Sequence, residues 1–165
     1  MNKAFTKEDE GPQADRLDDL PQSPHPNYVT PAGLAALQQR LRERHADLST
    51  LPRDSLDAKI PRAMAERDIR FLETRINRAI VVEPARQDRD VVAFGACVTV
   101  ADEDDVRADW HIVGEDEANP ASHRIAPFSP LARAMLGARV GDVVDWRKPG
   151  GPVALEIMAI RYLTA

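Results

Sequence analysis

Apolar residues recur at two different periods along this chain, and the change of period divides it. Leu34, Leu37, Leu41 and Leu48 are spaced three, four and seven apart, a helical face broken at Arg44 and His45. Thr30 before Pro31 supplies the start: the hydroxyl accepts from an exposed N–H, and proline at the first helical position sacrifices no hydrogen bond. The helix should stop near Ser49-Thr50-Leu51-Pro52, because a residue preceding proline is pushed out of the helical region. A second helical stripe, Ile69, Leu72, Ile76, Ala79 and Ile80, follows; it is firm from Arg62, with Pro61 as its start or a kink. Two helices with one apolar stripe each predict an antiparallel hairpin, a coiled coil over residues 28–83.

After a polar linker at 84–90 the period falls to two. Val92, Phe94, Ala96, Val98 and Val100 alternate, a turn at Ala101–Asp105 follows, and Trp110, Ile112 and Gly114 continue on a second strand. Ile125–Phe128 reads as a short extended piece. Ser129 and Pro130 open a short helix carrying Leu131, Ala132, Met135 and Leu136, closed by Gly137. Val140–Trp146 and Val153–Leu163 are the last strands, joined by a turn at Lys148–Pro152. The fold class is α+β: a helical hairpin, then an antiparallel sheet with one short helix over 91–165.

Charge refines this division. Residues 1–27 are acidic and rich in proline, and predict a disordered tail; Leu17-Asp18-Asp19-Leu20-Pro21 within it is a candidate docking or self-masking peptide. The second helix adds Arg62, Arg67, Arg70, Arg75 and Arg78, which make the arm locally basic. The whole chain carries −5, which argues against general nucleic-acid binding. One cysteine excludes an internal disulfide and fits a reducing cytoplasm. There is no secretory h-region and no run long enough to span a membrane.

The sequence holds no self-contained active site. His25, His45, His111 and His123 have no ligand spacing among themselves or with Cys97. Cys97 lies mid-strand, where a small buried hydrophobe is expected. Capping accounts for Ser129. Gly150-Gly151 opens no helix and cradles no phosphate. Asp102–Asp105 reads as a solvated turn. Asp54 and Asp57 stand at the hairpin tip, where two carboxylates could complete another molecule's magnesium site. Gly114–Glu117 and Ser129-Pro130-Leu131 look exposed and could together form a docking patch. On these grounds the chain is expected not to be an enzyme, with no catalytic residue and no metal or cofactor of its own.

Several blocks carry a resemblance: Phe94-Gly95-Ala96-Cys97-Val98-Thr99-Val100, Ile112–Ala118, Ser129–Gly137, Val140–Val144 and Pro149-Gly150-Gly151. In order and spacing the body resembles the Gre family of bacterial transcription elongation factors. Met1–Glu8, Tyr28–Gly33 and Ile69–Ile76 are similar to the GreB type. The resemblance implies an FKBP-like C-terminal domain that binds RNA polymerase at its secondary channel, with Glu115, Asp116, Glu117, Ser129, Pro130 and Leu131 as the contacting residues. It implies a coiled coil inserted into the channel, whose tip acids help hold the polymerase's magnesium during cleavage of backtracked RNA. Nucleic acid would be met only through the polymerase.

The chain departs from the family where that chemistry sits. The family tip reads approximately Gly-Asp-x-x-Glu-Asn-x-[Asp/Glu]-Tyr, and nothing between Leu48 and Arg67 matches it. The hairpin is shorter by roughly two turns per arm, about 12 Å at ~1.5 Å per residue. The leading expectation is a polymerase-binding regulator of elongation without normal transcript-cleavage stimulation. A cleavage factor using Asp54 and Asp57, and an adaptor that no longer binds polymerase, are the alternatives.

Overall fold

The computed structural model describes residues 16–163. Helix α1 spans Pro31–Thr50 and α2 spans Lys59–Asn77. The Thr30 hydroxyl accepts the Gly33 N–H at 2.9 Å, so the cap is the one the sequence predicts. Helix α2 begins three residues before Arg62 and holds Pro61 in its first turn, where a missing N–H costs nothing. The facing stripes meet around Leu37 and Leu72, with Leu34, Leu41, Phe71 and Ile76 packed against them. At the far end Arg62 donates to the carbonyls of Leu48 (3.4 Å) and Leu51 (3.0 Å). A cation from α2 thereby satisfies the C-terminus of α1, whose last turn has no basic residue.

The helical pattern does not run on through Ile80. Strand β2 (Ala79–Val81) instead pairs in parallel with β1 (Asn27–Val29), in register Asn27↔Ala79 and Val29↔Val81. This two-strand clasp closes the hairpin at its base.

The body is a five-stranded sheet ordered β5-β4-β3-β7-β6. Its strands are β3 (Ala96–Ala101), β4 (Arg107–Ile112), β5 (Arg124–Ile125), β6 (Val143–Lys148) and β7 (Gly151–Tyr162). The expectation of a wholly antiparallel sheet is corrected at one edge, where β4 and β5 run parallel. Alternation sends Val98, Val100, Ile112, Leu155 and Ile157 to one face, closed by Leu131 and Met135 of α3 (Pro130–Met135). A register shift at Thr99/Val100 bends β3 against β7. Gly137, at φ +85°, ends α3 in the left-handed conformation that glycine tolerates best.

The expected disordered tail is corrected for residues 16–26, and residues 1–15 lie outside the described residues. Arg70 grips this segment against α2, through the Asp19 carboxylate at 2.5 Å and the Leu17 carbonyl at 2.9 Å. Gln22 donates to the Phe71 carbonyl and Arg78 to that of Ser23. The Arg70 guanidinium holds the Asp19 carboxyl below its ordinary pKa. The arginines of α2 are therefore no free basic surface: Arg62 pairs with Glu66, Arg67 with Asp68, Arg70 with Asp19 and Arg75 with Asp116.

Candidate functional site

The acidic loop and the base of the arm form one polar joint. Residues Glu115–Glu117 make a single 3-10 turn after Gly114. The Glu117 carboxylate folds back to accept the Gly114 N–H at 3.1 Å. It also accepts the Thr30 hydroxyl at 2.7 Å and, at 3.4 Å, the Thr30 N–H. This places a negative charge at the start of α1, whose first turn has no acid of its own. Arg124 approaches Glu117 from the sheet edge at 3.6 Å. Gly33 makes the fit possible: a Cβ there would lie 2.3 Å from a Glu117 carboxylate oxygen.

Arg75 is the other half of the joint, and only 2% of it is exposed. It donates to Asp116 from Nε at 2.8 Å and from a terminal nitrogen at 2.6 Å. The same terminal nitrogen reaches the side-chain oxygen of Asn27 at 2.5 Å and Glu115 at 3.4 Å. Asn27 returns a bond to the Arg75 carbonyl at 2.7 Å. Ser23 donates to Glu115 at 2.9 Å. A buried guanidinium is tolerable only when paired in this way.

These contacts correct the exposed docking patch. Glu115, Asp116 and Glu117 face inward onto the arm, because Arg75 and Thr30 offer charge-assisted bonds there. Leu131 is 2% exposed and belongs to the core. Ser129 caps α3 by accepting the Ala132 N–H at 3.3 Å. Pro130 alone of that trio is exposed, lining an open groove of about 440 Å³ with Phe128, Arg133, Ala134, Asp145 and Arg147. The His25 ring stacks on Phe128 at 4.1 Å beside it. Asp54 and Asp57 are both exposed, in the turn between α1 and α2. Among the described residues no three His, Cys, Asp or Glu side chains converge on a point where a metal could sit.

Sequence reading missed Arg75 and Asn27. One signal for Arg75 was present: it stands between Leu72 and Ile76, at the edge of the apolar stripe, where an unpaired cation would be costly. Nothing local marks Asn27.

A cavity of about 370 Å³ lies beside the joint, lined by Thr30, Pro84, His111, Glu117, Arg124 and Leu163 among others. Burial is the largest influence on His111 and pushes its pKa below the ordinary 6.5, against the opposing effect of a hydrogen bond with the Gly95 backbone. The folded chain then resists a proton that the unfolded chain accepts, so this contribution is complete above about pH 6.5 and is lost as pH falls through it. Urea midpoints at pH 7 and pH 5 are expected to drop less in His111→Gln than in the parent. An equal drop would show that His111 titrates normally.

Residues 86–162 match the family model described as "Transcription elongation factor, GreA/GreB, C-term". Transcription elongation factor GreA of Maricaulis maris is 38% identical over 133 residues, covering 80% of this chain and 83% of that protein. The GreA of Bradyrhizobium diazoefficiens is 36% identical over 152 residues, covering 81% of this chain and 96% of its own. The crystal structure of GreA factor homolog 1 (Gfh1) from Thermus thermophilus is similar at 28% identity, covering 83% of this chain and 99% of that one, with a TM-score of 0.41. These relatives carry the GreA name, where the N-terminal blocks pointed to the GreB type. They also overturn the expectation that the chain is not an enzyme. The finding against it is that both relatives are transcription elongation factors of the GreA name.

Proposed function

The chain belongs to the GreA/GreB family of transcription elongation factors, and from that membership we propose that it docks on RNA polymerase and modulates elongation through its arm. The body docks at the rim of the secondary channel through the groove around Ser129 and Pro130, and the arm enters the channel. The joint of Arg75 with Asp116 and Asn27 carries this reading. A factor held by one domain that works with the tip of another needs the two fixed in angle, and a buried, multiply bonded guanidinium does that. Glu115, Asp116 and Glu117 then serve docking indirectly, by aiming the arm.

Helices of 20 and 19 residues reach about 30 Å at ~1.5 Å per residue. Asp54 and Asp57 are the only acids in the turn between them. An arm of that length supports weaker transcript cleavage than a long-armed factor, because a carboxylate ligates magnesium only near ~2.1 Å. Any magnesium involved is shared with the polymerase.

Elongation and cleavage assays on backtracked complexes test this. The parent chain should alter pausing while cleaving more slowly than the Maricaulis GreA, and Pro130→Ala should weaken both effects. Fast cleavage abolished by Asp54→Ala and Asp57→Ala would replace this reading with that of a full cleavage factor. The exposure of both aspartates at the tip favours that second reading.

A further inference from the structure

The segment 16–26 is fastened to the arm at one end and to the body at the other. On the arm, Arg70 holds the Asp19 carboxylate and the Leu17 carbonyl, and Gln22 donates to the Phe71 carbonyl at 3.3 Å. Leu20 lines a groove between the helices, with Arg40 and Arg44 of α1 and Phe71 and Leu72 of α2. On the body, the Ser23 hydroxyl donates to Glu115 at 2.9 Å, and the His25 ring stacks on Phe128. The segment therefore crosses the joint as a tether, and it has little slack. From Asp19 to Ser23 the chain reaches at most ~14 Å when fully extended, and Pro21 and Pro24 fix φ along it. Arg70 lies further out along α2 than Arg75, by roughly 7.5 Å at ~1.5 Å per residue. A tether fastened there opposes a swing of the arm with more leverage than the Arg75 joint itself.

The two ends are held by different forces. The Arg70–Asp19 pair is open to solvent, with side-chain exposures of 28% and 61%, so dissolved ions screen it. The body end rests on a hydroxyl-to-carboxylate bond and a ring stack, neither of which is an ion pair. We propose that residues 16–25 form a brace across the joint, released at its arm end by rising ionic strength, and that this release widens the swing of the arm on the body. The brace acts within the free chain and does not depend on polymerase docking.

The test uses the full chain with Cys97→Ser, so that nitroxide labels attach only at introduced cysteines. A label at Asp18→Cys reports the mobility of the brace by electron paramagnetic resonance. Labels at Leu56→Cys and Val143→Cys, both exposed, report the spread of arm-to-body distances by double electron–electron resonance. Between about 0.1 M and about 1 M NaCl the Debye length falls from ~10 Å to ~3 Å. Over that range the label at residue 18 should become mobile, and the distance distribution should become about twice as wide. Asp19→Ala should produce both changes at the lower salt, with its thermal unfolding midpoint unchanged because the pair is exposed. A label that stays immobile at the higher salt would overturn the release. A mobile label with an unchanged distribution would show that the Arg75 joint alone holds the arm, and would overturn the brace. A distribution that widens with salt but not in Asp19→Ala would move the effect to another ion pair and overturn it as well.

Discussion

Arg75→Ala is expected to destabilise the chain by roughly 3–5 kcal/mol, the usual cost of removing one partner from a buried ion pair. The loss comes less from the missing bonds than from what remains. Asp116 would be left as a half-buried carboxylate without its cation, and the Asn27 side-chain oxygen would lose its donor. Arg75→Lys should recover only part of this. One ammonium can face Asp116 or Asn27, but it lacks the planar fork that serves both. Urea unfolding followed by circular dichroism measures the shift, and a double-mutant cycle with Asp116→Ala isolates the pair. A cost below about 1 kcal/mol, with strict additivity in the cycle, would mean that arm and body are not coupled through this residue.

Gly33→Ala is expected to destabilise by about 1–2 kcal/mol, a reversal of the usual sign. Alanine at a helix-interior glycine ordinarily gains up to ~1 kcal/mol. Here the new Cβ would sit 2.3 Å from the Glu117 carboxylate. That carboxylate ends a flexible side chain, so it can be pushed aside. Moving it costs one of its bonds, to the Thr30 hydroxyl or to the Gly114 N–H, worth ~1.5–3 kcal/mol when one partner is charged. With Glu117 already replaced by alanine the obstacle is gone, and Gly33→Ala should then stabilise. Thermal melts of the two single variants and the double variant check this. Stabilisation by Gly33→Ala in the parent background would remove Glu117 from the account.

Most of the fold was legible wherever one period persists. Leu34, Leu37 and Leu41 could belong only to a helix, and Ala96–Val100 only to a strand. The errors fall where the deciding partner is remote in sequence. Ala79 and Ile80 continue the spacing of Ile76, and only a pairing with Asn27 and Tyr28, some fifty residues earlier, makes them a strand. Glu115–Glu117 read as part of an exposed docking patch because Arg75 lies forty residues upstream. The same distance effect hid residues 16–26, whose local composition is that of a tail while Arg70 supplies the anchor. At the candidate site, the exposure of Pro130, Asp54 and Asp57 was legible from their turn and capping chemistry. The inward aim of the acidic loop was not, since a carboxylate has the same local signature whether it meets water or a guanidinium.

The clasp between β1 and β2 carries a consequence for how this architecture can vary. It holds the entry and exit of the arm one strand spacing apart, ~4.8 Å, whatever lies between them. Seven residues added to each helix, two turns apiece, would extend the stripe without moving Val29 or Val81. Reach is therefore a variable that evolution or an engineer can set in matched increments, leaving the body and its joint untouched. The arm is in effect an exchangeable cassette, and factors of different reach can be made from one base.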